Sequence, residues 1–342
     1  MPVKTTPTLT DIARECRLSK GSVSRALSMS ADDCPLNPAT RLRVIEVAKA
    51  MGYRVNAHAR ALSRGKSQTI GLTYEGTLPL LDGVYHTLME TLIHELHVRN
   101  YDLALVPIDR SKRWEDTLLT GRVDGCISFH SLPRRLVTVA GDIGVPLVLL
   151  NGRSDLADTV SPNDRQGARL AVEHLAELGH RRIVMYANIQ NEDPHYSIEE
   201  RHEGFVDAVE SLGDTFSHRF FEGEAEEVAA HFQSAVPAPT AVVTYSHYEA
   251  MLLLKALRQA GLRVPHDVSL LSFNDVFPAA ELDPALTVIS VPSVEMGRTG
   301  AKMLLDRIEQ PEGTPSGVTS LMLNETLIAR ESTAPLRSES AP

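Results

Sequence analysis

The sequence predicts an all-α helix-turn-helix head with a hinge helix, followed by an α/β body of two lobes whose parallel sheets are flanked by helices. Three observations favour this fold class. Capped amphipathic helices follow one another over residues 8–51. After residue 67, short apolar runs alternate with helical segments, a pattern typical of parallel sheets with crossover helices. Charge divides the chain at the same place, because residues 1–66 hold 12 Lys and Arg against 5 Asp and Glu, whereas the remainder holds 22 against 39.

Composition excludes several classes of protein. The chain has 342 residues, enough for a small head and two further lobes that each bury a core. The amino-terminal sequence has no apolar segment of the signal-peptide type, and no stretch approaches about 18 apolar residues, so we expect neither secretion nor a membrane span. Cys16, Cys34 and Cys126 are odd in number and lack C-x-x-C spacing, which predicts no metal site or disulfide and favours a cytoplasmic protein.

Three short helices are predicted in the head. Thr8 is suited to cap the first helix, with Asp11 at the third helical position as in a capping box. Ser19 is suited to cap a second helix over Lys20–Leu27, and Asn37, followed by proline, to begin a third. Short helices with such tight connections are typical of a helix-turn-helix unit.

The second helix is the expected DNA-reading element, because its amino-terminal residues would lie nearest the base edges in the major groove. Lys20 and Arg25 are the donors best placed for guanine, Ser22 and Ser24 suit phosphate oxygens, and Gly21 allows close backbone approach. A solvated amphipathic helix is the alternative. The expected DNA-binding residues of the head are Thr8, Ser19, Lys20, Gly21, Ser22, Ser24 and Arg25.

The head resembles that of the LacI/GalR family of bacterial transcription repressors. The resemblance rests on residues 8–27 (TLTDIARECRLSKGSVSRAL), on Gly-Tyr-Arg-Val-Asn at 52–56 and on Ile-Gly-Leu at 70–72. The sequence departs from the family at Arg17, where the turn usually has glycine, and at Val55, where proline is common. The loop before the third helix is also about three residues longer than in the family pattern.

The hinge is too short to be a stable helix alone. Asn56 can cap a segment of about two turns ending at Gly65, and helices below roughly 12–15 residues are marginal in water. The resemblance implies that this segment folds on DNA with that of a dimer mate, and that Leu62 wedges between base steps in the minor groove. A plain linker is the alternative. The hinge residues expected to contact DNA are Asn56, His58, Ala59 and Leu62.

The body resembles the periplasmic-binding-protein-like body of the same family. The matching segments are residues 167–182, 261–269, 283–289 and 329–334. The resulting domains are a helix-turn-helix head (1–55), a hinge and linker (56–66), an N-terminal lobe (67–163 plus 291–320), a C-terminal lobe (164–290 plus 321–332) and a disordered tail (333–342).

Ligands of open α/β sheets bind outside the carboxyl ends of the strands, here between the lobes. Asn151 follows an apolar strand, and the resemblance places Arg201 and Asn274 at ligand-binding positions, the latter where the family has an acid. The candidate effector-binding residues are Tyr74, Leu80, Tyr85, Phe129, Asn151, Arg201, Ser246, His247 and Asn274, with Glu75, Leu81 and His130 beside them.

This residue set favours a sugar or sugar derivative. Amides both donate and accept hydrogen bonds, so a neutral polyol fits, and Arg201 with fewer competing carboxylates also suits a sugar acid or sugar phosphate. A different effector, or none, is the alternative. At single positions, Asn151 and Asn274 could instead be turn residues and His247 a surface histidine.

Two other classes of protein share part of this pattern. An enzyme is disfavoured because the chain lacks a G-x-S-x-G elbow, a P-loop, an H-E-x-x-H motif and metal-ligand spacing. A sugar-binding transport protein shares the body but lacks a head. We therefore expect a homodimeric repressor without cofactor that binds a pseudo-palindromic operator under control of a small effector. The sequence leaves open the effector's identity and whether it induces or co-represses.

Overall fold

The computed structural model describes residues 7–29, 31, 33–53, 66–75, 83–189, 194–310 and 317–337. It divides into two compact units, Met1–Gln68 and Thr69–Pro342. Six residues named for the predicted sites lie outside the described residues, namely Asn56, His58, Ala59, Leu62, Leu80 and Leu81.

The head contains the three helices that the sequence predicts. They are α1 (Leu9–Cys16), α2 (Lys20–Ser28) and α3 (Pro38–Ala50), so the second helix is one residue longer than expected. Their apolar faces meet in one small core. That core contains Ile12, Ala13, Cys16, Val23, Ala26, Val44 and Ala48.

Side-chain caps begin all three helices. The Thr8 backbone N–H and hydroxyl both donate to the Asp11 carboxylate, at 2.9 and 2.7 Å. Ser19 Oγ accepts from the Ser22 N–H at 3.0 Å, and the Asn37 side chain caps α3 in the same way. Arg17 follows α1 with a φ of 54°, a left-handed conformation that favours glycine. The turn therefore keeps its geometry although Arg17 replaces the family's glycine.

The N-terminal lobe of the body is built on a parallel sheet that has six strands within the described residues. The strand order is β11-β5-β4-β3-β1-β2. The strands are β1 (Thr69–Tyr74), β2 (Asp102–Pro107), β3 (Gly125–Phe129), β4 (Leu147–Leu150), β5 (Asp158–Pro162) and β11 (Ser320–Leu323). The helices of this lobe are α4 (Gly83–Val98), α5 (Arg113–Leu119), α6 (Arg134–Asp142) and α11 (Ser293–Glu309).

The C-terminal lobe has the same architecture, a six-stranded sheet with flanking helices within the described residues. Its sheet has the order β12-β10-β9-β8-β6-β7, with β12 antiparallel to β10. The strands are β6 (Arg182–Ala187), β7 (Ser217–Glu222), β8 (Ala241–Thr244), β9 (Ser269–Phe273), β10 (Thr287–Ser290) and β12 (Thr326–Ile328). The helices are α7 (Asp164–Glu177), α8 (Ser197–Ser211), α9 (Ala225–Ser234) and α10 (His247–Gln259).

In the described residues, the chain crosses between the two sheets at three places. The crossings follow β5, follow β10, and join β11 to β12. The sequence assigned residues 321–332 to the C-terminal lobe, but Leu321–Leu323 belongs to the N-terminal sheet because it pairs in parallel with Val160–Pro162. The last crossing therefore lies at residues 324–325.

The predicted disordered tail is a second correction. Residues 333–337 are held against the C-terminal lobe: the Ala334 N–H donates to Ser269 Oγ at 3.0 Å, and the Leu336 N–H donates to the Leu178 carbonyl at 2.7 Å. Both bonds satisfy backbone groups that a free tail would leave to water. Among the described helices, none has the length and apolar character that crossing a bilayer requires.

Candidate effector cleft and DNA-reading face

The α2 helix presents a polar outer face. Lys20, Gly21 and Arg25 are exposed, whereas Ser22 and Ser24 are half-buried. Ser22 is also engaged locally, because its hydroxyl lies 2.9 Å from Ser19 Oγ. Lys20 and Arg25 form no ion pair within the described part of the chain, so both cations are free to meet an anionic partner.

A cleft of about 460 Å³ opens at the carboxyl ends of strands from both lobes. It is lined by residues from elements far apart in sequence, as open α/β sheets require. The structure brings together the eight predicted effector residues that it describes: Tyr74, Tyr85, Phe129, Asn151, Arg201, Ser246, His247 and Asn274.

Three cleft residues share one backbone geometry at strand ends. His130, Asn151 and Asn274 follow β3, β4 and β9 with φ values of 68°, 53° and 73°, in the left-handed region. Each donates its backbone N–H to a carbonyl of the neighbouring strand, at 2.9–3.1 Å. Asparagine and histidine adopt this conformation more readily than most residues. Asn151 and Asn274 are therefore turn residues and cleft residues at once.

Arg201 is the most constrained side chain in the cleft. It is 4% exposed, and its Nε donates to Asp164 Oδ1 at 2.7 Å while Nη1 donates to the Tyr245 carbonyl at 2.7 Å. Its guanidinium carbon lies 4.1 Å from the centre of the Phe273 ring. Nη2 makes no hydrogen bond to any described residue, which leaves it available as a donor to a ligand.

Two acids that the sequence analysis missed surround Arg201. Asp164 is hydrogen-bonded to it, and Glu325 Oε1 lies 3.9 Å from Nη2. Burial alone would lower the pKa of Arg201, but these two carboxyl groups raise it above its usual value. The expectation that Arg201 has few competing carboxylates is therefore wrong.

Ser246 and His247 lie at the start of α10. Ser246 Oγ accepts from the Tyr248 N–H at 3.2 Å and donates to the Glu249 carboxylate, so this hydroxyl is largely committed to the helix cap. His247 is buried and packs against the Tyr248 ring in a tilted arrangement, with 4.0 Å between ring centres. The alternative of a surface histidine is therefore wrong.

His195 joins the lobes at the cleft and was not predicted. It follows β6 in the C-terminal lobe, yet its Nε2 donates to the Asn151 carbonyl at 3.0 Å and its ring stacks on His130 with 4.4 Å between ring centres. The Ser197 N–H donates to its Nδ1 at 3.3 Å, which assigns the proton to Nε2. Burial lowers the pKa of His195 to about 3, so the ring is neutral at neutral pH.

A second contact between the lobes lies beside the first. Arg153, which follows β4, donates to Glu200 of α8 at 2.5 Å, and its guanidinium stacks over the Tyr196 ring. Glu200 also accepts from Arg165 at 2.9 Å. Hydrophobic patterning gives no signal for these contacts, because they depend on how the two sheets face each other.

The fold and the cleft together define a class of protein: a DNA-binding head joined to a two-lobed ligand-binding body. Comparisons with known proteins agree. Residues 172–333 match the periplasmic binding protein-like domain family. Over 318 residues, the chain is 28% identical to a probable HTH-type transcriptional repressor, ExuR of Bacillus subtilis, covering 89% of this chain and 92% of that one.

Solved structures give the same result. The transcriptional regulator CelR in complex with cellobiose is 26% identical, with a TM-score of 0.65 over 95% of this chain and 99% of that one. A LacI family transcriptional regulator from Enterococcus faecium with bound ribose is 27% identical, with a TM-score of 0.63 over 79% of this chain and all of that one. The chain is a ligand-regulated, DNA-binding transcriptional repressor, similar in sequence and fold to LacI-family regulators, and the relatives named here are regulators rather than enzymes.

Proposed function

We propose that the chain acts as a homodimeric cytoplasmic repressor whose operator affinity is switched by an uncharged sugar bound between the lobes. The observation that carries the proposal is the unused Nη2 donor of Arg201, held at the wall of a cleft of about 460 Å³. A buried donor fixed by several partners costs little to order when a hydroxyl group binds it.

The remaining cleft wall suits a sugar ring. Tyr85 and Phe129 pack together in a tilted arrangement, with 5.2 Å between ring centres, and offer an apolar surface to C–H groups. The Asn151 and Asn274 amides can each donate to one hydroxyl group and accept from another. The two structures named above hold cellobiose and ribose, and the same class of ligand is proposed here.

The charges favour an uncharged sugar over a sugar acid or phosphate. Asp164, at 2.7 Å from Arg201 Nε, offsets the guanidinium charge of Arg201 from the protein side. Glu249 adds a further carboxyl group to the cleft wall. An anionic ligand would therefore enter a site whose one deeply buried cation is already paired, and would lose its hydration without gaining a free positive charge.

The DNA partner follows from the head. With α2 in the major groove, Arg25 and Lys20 are the residues proposed to read guanine. One short helix reads few base pairs, so two heads on a pseudo-palindrome about one helical turn apart are proposed. The hinge contacts of Asn56, His58, Ala59 and Leu62 stay predictions from the sequence.

A second copy of the chain is proposed to cover apolar side chains on the C-terminal lobe. Phe277 is 85% exposed and Leu252 on α10 is also exposed. Large apolar side chains left in water on a folded lobe favour association. Because two heads must bind together, this association is part of the switch.

A thermal-shift experiment on the full chain tests the ligand class. Galactose and galacturonate, ribose and ribose 5-phosphate, and cellobiose are compared as probes. A ligand at 100 times its Kd stabilises the folded chain by about 2.7 kcal/mol, so a binding sugar raises the Tm by several degrees. We expect a neutral probe to raise the Tm and its charged counterpart to have no effect. Stabilisation by the charged members alone contradicts the proposal.

The matched variant for this experiment is Asn274→Gly. Glycine keeps the left-handed backbone at this position, where φ is 73°, and removes only the amide. Without ligand, the Tm of the variant is therefore expected to fall only by the small amount that the backbone entropy of an added glycine costs. With ligand, the variant is expected to lose most of the ligand-induced rise in Tm. An undiminished shift removes Asn274 from the site.

A further inference from the structure

Three ionisable side chains meet where the chain crosses between the lobes. Asp164 is the first residue of α7, directly after the first crossing, and Glu325 lies in the last crossing, between β11 and β12. Arg201 of α8 lies between them. All three are buried, and Glu325 is only 2% exposed.

The cluster has one carboxyl group too many. Arg201 Nε pairs closely with Asp164 at 2.7 Å, whereas Glu325 is an ångström farther away, at 3.9 Å from Nη2. Neither carboxyl oxygen of Glu325 has a hydrogen-bond partner among the described residues. An ionised carboxylate in this position would lack both a counter-charge of its own and the donors that normally stabilise it.

Residues of α7 and β10 pack closely around the Glu325 side chain. No side chain fits at Gly167 of α7, because a Cβ there would overlap the Glu325 carboxyl group and lie 3.0 Å from Ile289 of β10. The Gln166 side chain accepts from the Glu325 N–H at 2.9 Å and donates to its carbonyl at 3.3 Å, which fixes the crossing to α7. The carboxyl group therefore has a fixed place, and both of its oxygens are buried.

Few titratable groups face this carboxyl group. Asp164 from α7 and Arg201 from α8 are the ones that act on it. Tyr196 and Glu200 face Asp164, and Tyr245 faces Arg201 from the segment after β8. Burial, first, and the charge of Asp164, second, raise the pKa of Glu325 well above its usual value, and Arg201 opposes them.

We propose that Glu325 is held as a protonated carboxylic acid at neutral pH. The Asp164–Arg201–Glu325 cluster thereby makes the connection between the lobes sensitive to the loss of this proton. With the proton in place, the cluster is a neutral ion pair beside a neutral acid. Loss of the proton from Glu325 leaves an unpaired negative charge at the last crossing. This charge lies beside the Arg201 donor on which the proposed effector site depends. Alkaline pH then weakens the folded body and competes for Arg201.

The test compares Glu325→Gln with the parent chain by thermal unfolding between about pH 6 and pH 9, without ligand. Glutamine has the shape of the protonated acid and cannot ionise. The folded pKa lies above the unfolded value of about 4.3, so the folded state holds the extra proton and stability falls as pH rises toward the folded pKa. Because this loss begins above the unfolded pKa, we expect the Tm of the variant to be at or above that of the parent at pH 6, and the difference to grow by several degrees toward the alkaline end.

A variant that unfolds, or has a clearly lower Tm at neutral pH, overturns the proposal, because it means that Glu325 acts as an ionised partner of Arg201. Asp164→Asn is the control, since losing the 2.7 Å partner should lower the Tm across the whole range. Infrared difference spectra of parent minus Glu325→Gln give a second readout: the carbonyl band of a protonated carboxyl group is expected, and its absence also overturns the proposal. Neither readout needs an effector, so each stands or fails separately from the proposed function.

Discussion

His195 of the C-terminal lobe donates its Nε2–H to the backbone carbonyl of Asn151 in the N-terminal lobe, at 3.0 Å. Both residues line the cleft, and the Asn151 side chain also donates to the Tyr85 hydroxyl at 3.0 Å. The contact is therefore part of the cleft wall and part of the junction between the lobes. A ligand that changes the distance between the lobes must change this bond.

The neutral state of His195 predicts a pH dependence of stability. Its folded pKa of about 3 lies below the unfolded value of about 6.5, so below pH 6.5 the unfolded chain binds the additional proton. The contribution of His195 to the free energy of unfolding is fully present above about pH 6.5. It falls by about 1.4 kcal/mol per pH unit as the pH decreases toward 3. Urea unfolding of the full chain at pH 5 and pH 7 measures the difference.

His195→Gln keeps a side-chain N–H donor and cannot titrate, so its unfolding free energy should vary less between these two pH values. The exposed His97→Gln is the control and should keep the parent's pH dependence. Equal dependence in all three chains would show that His195 is not held neutral.

Gly167 predicts a steric effect beside the cluster. A Cβ at this position would collide with the Glu325 carboxyl group and lie 3.0 Å from Ile289, in a place with no room for it. Gly167→Ala should therefore lower the free energy of unfolding by about 1–3 kcal/mol. Gly141→Ala, in a helix where nothing lies within 4 Å, is the matched control and should be neutral or slightly stabilising. A similar result for both substitutions refutes the tight contact.

The DNA-reading face predicts unequal effects of two arginines. Arg25 is exposed on α2, whereas Arg14 is exposed on α1 and pairs with Asp11 at 3.6 Å. On a duplex selected by the parent chain from random sequences, Arg25→Ala should cost about 1–3 kcal/mol of binding free energy and relax the preference at one position. Arg14→Ala should have a small effect. Fluorescence anisotropy checks both, and equal losses would assign the reading to another face.

The exposed Phe277 predicts the oligomeric state. Phe277→Glu places a charge where a second copy is proposed to pack, and should shift the chain toward the monomer in light scattering at micromolar concentration. Ser217 is an exposed polar residue on β7 and serves as the control, because Ser217→Glu adds the same charge away from the exposed apolar side chains and should leave the dimer intact. An unchanged dimer in both variants moves the interface elsewhere.

The strands that the sequence predicts are those with continuous apolar runs, such as β4 and β8. It gives no comparable signal for β5, because Asp158 and Ser161 interrupt its apolar pattern. In the structure, Asp158 is buried and accepts two hydrogen bonds from Arg307, at 2.7 and 2.8 Å. This bidentate ion pair takes the place of an apolar side chain in the strand. Strand β7 is likewise missed, since it is an edge strand with mostly exposed side chains.

The sequence likewise predicts some residues of the cleft and misses others. Residues directly after strands, such as Asn151 and Asn274, follow from the rule that ligands bind at strand ends. His195, Asp164 and Glu325 do not, because their roles depend on tertiary contacts between the lobes and across the crossings. A buried acid 124 positions from its arginine, as Glu325 is from Arg201, has no local sequence pattern.

The most direct test of the ligand-switched repressor measures the affinity of the full chain for its selected duplex, at fixed salt, with and without a sugar that raises its Tm. Coupling between two sites usually amounts to about 5–150-fold in affinity. The account predicts a change of this size, in either direction, for the parent chain and a much smaller one for Asn274→Gly at the same sugar concentration. An identical duplex affinity with and without a sugar that demonstrably occupies the cleft would contradict it.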